Sequence, residues 1–415
     1  MEHVLENAAP DVFSPGRIGP LTLRNRIIKA ATYEGLSHRS RVTTDLVEFH
    51  RAYAAGGVGM TTVAYCAVAP DGRTAPDQIQ WTDEAMPGLR VLTDAVHAEG
   101  AAISAQIGHA GPVADSRGNK RHALSPSTRF PNMSFGVSRK AKPADLERIT
   151  AAHAAAAVRA IEAGFDAVEV HLGHSYLASA FLSPKINHRK DEYGGSLANR
   201  AKFARSIMRA VRDAVGDRIA ILAKLNMSDG VRGGITLEEA IQTAQWIEAD
   251  GTVDAFEMTA GSSLLNPMYL FKGGAPVKEF VGVMPQPMKT VMRLGGGRFI
   301  REYPYQDAYL LDDASAVRAA VSLPMVLLGG ITDRSSMDLA MGAGFEFVAM
   351  GRALLREPDL VDRIAADAAT PSLCIHCNRC MPTNFVGTHC PVVDEGSSRS
   401  ATWGTPAGYA EASPR

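Results

Sequence analysis

Between residues 25 and 355 the chain alternates two hydrophobic rhythms. Short runs of β-branched and apolar residues have the length of buried strands. Longer stretches between them repeat their apolar positions every three to four residues, as amphipathic helices do. Strands are predicted over Asn25–Thr32, Val58–Val68, Ala101–Ile107, the run through Ala167, Val168 and Val170, Ile219–Asn226, Val253–Thr259, Pro324–Leu328 and Glu346–Met350. Helices are predicted over Thr44–Ala55, Glu84–Glu99, Pro143–Ala163, Leu197–Val215, Leu237–Ala249, Arg334–Met341 and Ala353–Ala368. Pro143 suits a first helical turn, and Gly56, Gly100, Gly164 and Gly216 stand where helices stop.

Apolar strands, each followed by a helix, argue for a parallel sheet covered by helices. Eight such units fit a closed (β/α)₈ TIM barrel, with a doubly wound open sheet as the structural alternative. Residues 108–142 and 260–312 exceed ordinary connections and read as lids or binding loops. The second, rich in aromatics, Met and Gly, could wall a pocket; its alternative use is a surface excursion or a subunit contact in a homo-oligomer.

Composition narrows the class. Hydrophobic residues make up 46% of 415, and the net charge is −1, so nothing points to nucleic acid or an acidic membrane surface. The start, M-E-H-V-L-E-N-A-A-P, lacks a basic and apolar leader, and no apolar run reaches spanning length. A soluble cytoplasmic protein acting on a small molecule is expected. Cys66 reads as a small buried hydrophobe.

The chemistry concentrates at strand ends, where barrels place their active sites. His171, His174 and Tyr176 arrive at the end of the fourth strand. They offer neutral hydrogen-bond donors and a plausible acid, and a polar loop rich in Asn, Arg, Asp and Gly follows. Gln106, Lys224 and Thr259 fall at other strand ends. Gln106 can donate and accept, as a pyrimidine-like edge requires, and Lys224 would face an anion, or else is a surface or salt-bridge lysine. Gly329-Gly330 and Gly351-Arg352 follow the last two strands, a common place for phosphate.

The stretches L-T-L-R-N-R-I-I-K-A-A-T-Y-E-G, A-Q-I-G-H-A-G, V-E-V-H-L-G-H-S-Y-L-A-S-A-F-L-S-P, N-H-R-K-D-E-Y-G-G-S-L-A-N-R and L-G-G-I…M-G-R resemble the Old Yellow Enzyme family, from about Phe13 to Leu355. The resemblance implies an FMN-dependent NAD(P)H oxidoreductase that acts as an ene-reductase. It implies that Ala30, Ala31 and Thr32 line the flavin, that Gln106 binds its pyrimidine edge, and that Lys224 replaces an arginine near N1/O2. Gly329, Gly330, Gly351 and Arg352 should hold the FMN phosphate. His171 and His174 should grip the substrate oxygen, with Tyr176 as proton donor. Tyr33 stands where relatives often place a flavin-tuning Cys or Thr.

The tail spacing Cys374-x₂-Cys377-x₂-Cys380-x₉-Cys390 suits a four-thiolate site. It is similar to the iron–sulfur segment of the dienoyl-CoA reductase/trimethylamine dehydrogenase branch, although the last spacing is shorter. A [4Fe–4S] cluster, zinc and no ligand at all remain open. No G-x-G-x-x-G unit follows to supply that branch's further domain. The expected organisation is an FMN-binding barrel over 11–369, a Cys-rich segment over 370–393 and a disordered tail over 394–415. The alternative functions are an oxidative dehydrogenase or N-demethylase of a small amine or alcohol fed through a tail cluster, and a non-catalytic FMN-binding electron-transfer subunit.

Overall fold

The computed structural model describes residues 9–130, 136–284, 286 and 288–393; the tail expected to be disordered, 394–415, lies outside them. Eight parallel strands run through the chain as β1 (Ile27–Lys29), β2 (Met60–Ala67), β3 (Ala102–Gly108), β4 (Ala167–Leu172), β5 (Ala220–Asn226), β6 (Ala255–Thr259), β7 (Met325–Leu328) and β8 (Phe347–Met350). β8 pairs with β1, and the remaining strands pair in chain order, so the sheet closes into a barrel. Closure excludes the open doubly wound sheet.

Period-two alternation sets the two faces of each strand. Ile103, Ala105 and Ile107, with Val168, Val170 and Leu172, belong to the main core shared with the outer helices, as does the fully buried Cys66. The opposite set faces inward. At the base, Ala167, Ala220, Leu222, Ala255, Val326 and Phe347 form one cluster with Ile18 and Leu23. Those last two come from an antiparallel hairpin, Gly16–Ile18 with Leu21–Leu23, which adds apolar side chains to the barrel base. Strands of three residues are too short to show periodicity, so this plug is invisible in the sequence.

The helices start where side-chain oxygens can satisfy free backbone donors. Thr43, Ser196, Thr236 and Asp333 each cap a helix in this way. The helix expected over Ala353–Ala368 is instead two, Arg352–Arg356 and Leu360–Ala366. Pro358 lacks an amide hydrogen and excludes Glu357 from helical geometry, and Glu357 sits at φ −142°, ψ 88°.

The two long connections contain regular elements of their own. Residues 108–142 contain a parallel pair, Ala123–Ser125 with Ser138–Lys140. Residues 260–312 contain helices Val277–Val283 and Met288–Phe299. Gly282 and Gly295–Gly297 lower the local helix propensity, which is why this stretch reads as loop. Its apolar side chains, among them Met268, Phe271, Phe280 and Met292, make a satellite core of their own. No described helix is long and apolar enough to cross a membrane.

Candidate active site

At the C-terminal ends of the strands lies a cavity of about 390 Å³, within the range of small-molecule sites. The structure brings the twelve expected catalytic and cofactor residues to its wall. Ala30, Ala31 and Thr32 follow β1, and Gln106 and Lys224 stand on β3 and β5. His171 is the last residue but one of β4, with His174 and Tyr176 just beyond; Gly329 and Gly330 follow β7; Gly351 and Arg352 follow β8.

The chain turns sharply after β4. Gly173 lets the backbone pass close to Thr259, whose methyl would lie 2.9 Å from any added Cβ. His174 and Ser175 then adopt left-handed φ values of 58° and 61°, a strain of about 1–3 kcal/mol each that functional sites often carry. The turn leaves the rings of His171 and His174 5.0 Å apart. His174 Nε2 is hydrogen-bonded to Thr259 Oγ1 at 2.8 Å, whereas buried His171 Nδ1 has no partner. Burial, then the charge of Lys224, lowers the His174 pKa to about 3; burial, then His174 and Lys224, push His171 well down. Both imidazoles are therefore neutral at pH 7, each with one donor and one acceptor. Burial raises the Tyr176 pKa, so its phenol keeps its proton. Tyr65, not foreseen, packs edge-on against Tyr176 at 5.1 Å.

Below this layer the inward positions turn ionic. Lys224 Nζ lies 2.5 Å from Glu257 Oε1 and 3.2 Å from Glu169 Oε1. Gln106 Nε2 donates to Glu169 Oε1 at 2.5 Å. Burial opposes the Lys224 charge, but Glu169 and then Glu257 outweigh it and raise its pKa. Lys224 lines the cavity and is a salt-bridge lysine, not a surface one. Neither glutamate stood out in the sequence. The available signal was an acid at an inward position of an otherwise apolar strand. Lys29 is also fully buried, over the rings of Phe49 and Tyr53, and burial lowers its pKa to about 8.

The opposite end of the cavity is built from glycine. Gly329 and Gly330 have φ of 103° and 77°, and a Cβ on Gly330 would meet Ala308 N at 2.8 Å. A Cβ on Gly351 would meet nothing within 4 Å, so backbone there is open to a ligand. This cradle, the Gln106 edge and the buried Lys224 fit FMN, phosphate at the glycines and pyrimidine at Gln106. Arg352 is already engaged. It donates to Lys272 O at 2.8 Å and to Asn378 Oδ1, leaving part of its five-donor fork for a phosphate.

Of two further walls, the one from residues 260–312 was expected and the one from the cysteine segment was not. Phe271, Phe280, Met284 and Phe299 enter from residues 260–312, and His376, Cys380, Met381 and Thr388 from the cysteine segment. Asn378 anchors that segment by donating to Phe271 O at 2.8 Å and Gly274 O at 2.9 Å. His376 stacks on Tyr305 with centroids 3.4 Å apart. Thr388 Oγ1 donates to Tyr33 O at 2.5 Å. Burial pushes the Cys380 thiol up to about 12, with Cys374, Cys390 and Cys377 adding repulsion. The four thiols thus share a neighbourhood, but among the described residues no three His, Cys, Asp or Glu side chains could hold a metal ion. The candidate ligand set Cys374, Cys377, Cys380 and Cys390 does not form such a group among the described residues, and the hydrogen bonds of Asn378 and the stacking of His376 hold the segment against the cavity.

The polar loop after Tyr176 is largely scaffold. Arg189 is bidentate on Asp191 and donates to Pro126 O and Ala141 O. Asn187 Nδ2 donates to Phe181 O and Tyr193 O, and Arg200 pairs with Glu239. None of these three lines the cavity.

The NADH:flavin oxidoreductase / NADH oxidase family model matches residues 11–263. A 4,4'-dithiodibutanoate disulfide reductase from Rhodococcus erythropolis is 50% identical over 385 residues, covering 93% of this chain and 96% of the relative. A metal reductase of Desulforamulus reducens is 32% identical over 89% of this chain, which spans 51% of that relative. In fold, the chain matches the old yellow enzyme homologue from Zymomonas mobilis with a TM-score of 0.69 at 22% identity, covering 89% of this chain and 96% of that one.

Proposed function

The chain belongs to the NADH:flavin oxidoreductase / NADH oxidase family and is an FMN-dependent oxidoreductase; we propose that it uses NAD(P)H to reduce an activated C=C bond in a small molecule. The observation that supports this reading is the wall formed by His171, His174 and Tyr176 across one cavity from Gln106 and Lys224. FMN, when bound, supplies the hydride. His171 and His174, held neutral, donate to the substrate's carbonyl oxygen and stabilise the negative charge that develops there, as an oxyanion hole does. Tyr176 delivers the proton to Cα as Cβ is reduced. Gln106 and Lys224 orient the cofactor's pyrimidine end. The aromatic and methionine wall from residues 260–312 excludes water. Anaerobic NADPH oxidation with 2-cyclohexenone tests this: one saturated ketone per NADPH is expected, and no turnover above background would overturn it.

The Rhodococcus relative favours a second reading, reduction of an organic disulfide at the same site. One disulfide, one hydride and one proton give two thiols, with Tyr176 protonating the departing thiolate. The two readings separate by kcat/KM for the enone against 4,4'-dithiodibutanoate, with thiol titration counting two thiols per NADPH.

A further inference from the structure

Inside the barrel, under Gln106 and the histidines, two carboxylates face one ammonium. Glu169 on β4, Lys224 on β5 and Glu257 on β6 occupy inward positions of adjacent strands and are 1%, 2% and 0% exposed. Lys224 Nζ contacts both carboxylates. Glu169 has Gln106 as well, but neither oxygen of Glu257 has an aligned hydrogen-bond donor. Glu257 and Glu169 are themselves within hydrogen-bonding reach, and such a bond needs a proton on one of them.

The surroundings do not supply the missing charge. Val326, opposite Glu257 on β7, is apolar. His171 and His174 above are neutral. Lys29 on β1 carries the second ammonium, but Glu34 accompanies it, with His50 Nε2 3.3 Å from Glu34 Oε1 and itself pushed toward neutrality by burial. Ionised throughout, Glu34, Glu169 and Glu257 outnumber Lys29 and Lys224 by one. A buried excess charge in low dielectric is resolved by protonation. Burial, then repulsion from Glu169, raises the Glu257 pKa.

We propose that Glu169 and Glu257 share one proton and that this pair is a redox-linked proton site, binding its proton more tightly when the flavin above it is reduced. The proposal rests on the reading that places the FMN pyrimidine against Gln106 and Lys224. The hydride from NAD(P)H brings two electrons and one proton to the cofactor. At a pH where the oxidised protein has lost the shared proton, a further proton enters from solvent onto the Glu169/Glu257 pair. It returns to solvent when the hydride passes to substrate. Glu257 is a positioning residue: it acts through Lys224 and touches neither cofactor nor substrate.

The test is the pH dependence of the flavin midpoint potential in wild-type holoenzyme and in E257Q. Wild type should take up one additional proton per two electrons over an alkaline window, and E257Q should not. Equal pH slopes in both FMN-loaded proteins would overturn the proposal. Infrared spectroscopy of the apoprotein reads the proton without cofactor or variant. A buried protonated carboxyl band that titrates away with rising pH is expected, and no such band in wild type would also overturn it. Failure of wild type to bind FMN would count against the placement of the cofactor, while the infrared band still decides whether the proton is there.

Discussion

The imidazole of His171 and the phenol of Tyr176 lie with ring centroids 4.3 Å apart, tilted by 54°. The group proposed to hold a substrate oxygen and the group proposed to donate a proton thus share one wall. Burial keeps the phenol protonated, so it is an acid at any working pH. In Tyr176→Phe, reoxidation of the reduced enzyme by an enone should slow on the order of 10²-fold. Reduction by NADPH should be unaffected. Stopped-flow measurement of the two half-reactions checks this, and equal slowing of both would show that Tyr176 acts otherwise.

His171→Ala with His174→Ala should cost about 10²–10³ in kcat/KM for 2-cyclohexenone and weaken phenol binding, with flavin content unchanged. The contact from His174 to Thr259 is lost in this variant, so a melting curve accompanies the kinetics. Unchanged enone turnover in a folded, FMN-loaded double variant would remove the oxygen-holding role.

Gly330→Ala introduces a Cβ 2.8 Å from Ala308 N and 2.9 Å from Gln306 O at φ 77°. Backbone atoms cannot yield as a side-chain tip can. A loss of about 1–3 kcal/mol is expected, together with lower FMN content after purification. Thermal melting and the ratio of flavin to protein absorbance measure both.

His153 is buried on the helix Pro143–Glu162, where its Nδ1 is hydrogen-bonded to Ile149 O at 2.8 Å. Burial lowers its pKa to about 4. A folded pKa below the unfolded value means that the unfolded chain binds the extra proton first. This contribution is fully present above about pH 6.5 and is lost as the pH falls toward 4. His153→Leu should therefore flatten the acid side of the stability curve by about 1.4 kcal/mol per pH unit in that window. Urea denaturation at several pH values reads the slope; identical slopes in both proteins would exclude a neutral buried His153.

The loop after Tyr176 shows how a distinctive sequence can mislead about role. Asn187, Arg189 and Asp191 lie in the polar stretch that carries the family resemblance, next to the strand end with the histidines. Their hydrogen bonds tie the loop to Pro126 and Ala141 and to its own Tyr193. Such distant partners cannot be seen from spacing.

What the sequence determined by itself is the local part. Strand and helix periods, helix caps, the glycines after β7 and β8, and the strand-end positions of Gln106, His171 and Lys224 all follow from interactions within a few residues. Only the tertiary structure decided the rest. Barrel closure set Glu257 opposite Lys224 and Lys224 opposite His171, turning isolated residues into an ionic floor and a neutral, hydrogen-bonding wall. It also brought Asn378 to Arg352 and Phe271, so that the cysteine segment became part of the cavity. The reason is the range of the forces: a propensity or a cap is written in adjacent residues, whereas the charge and burial a side chain meets are set by strands far away in the chain.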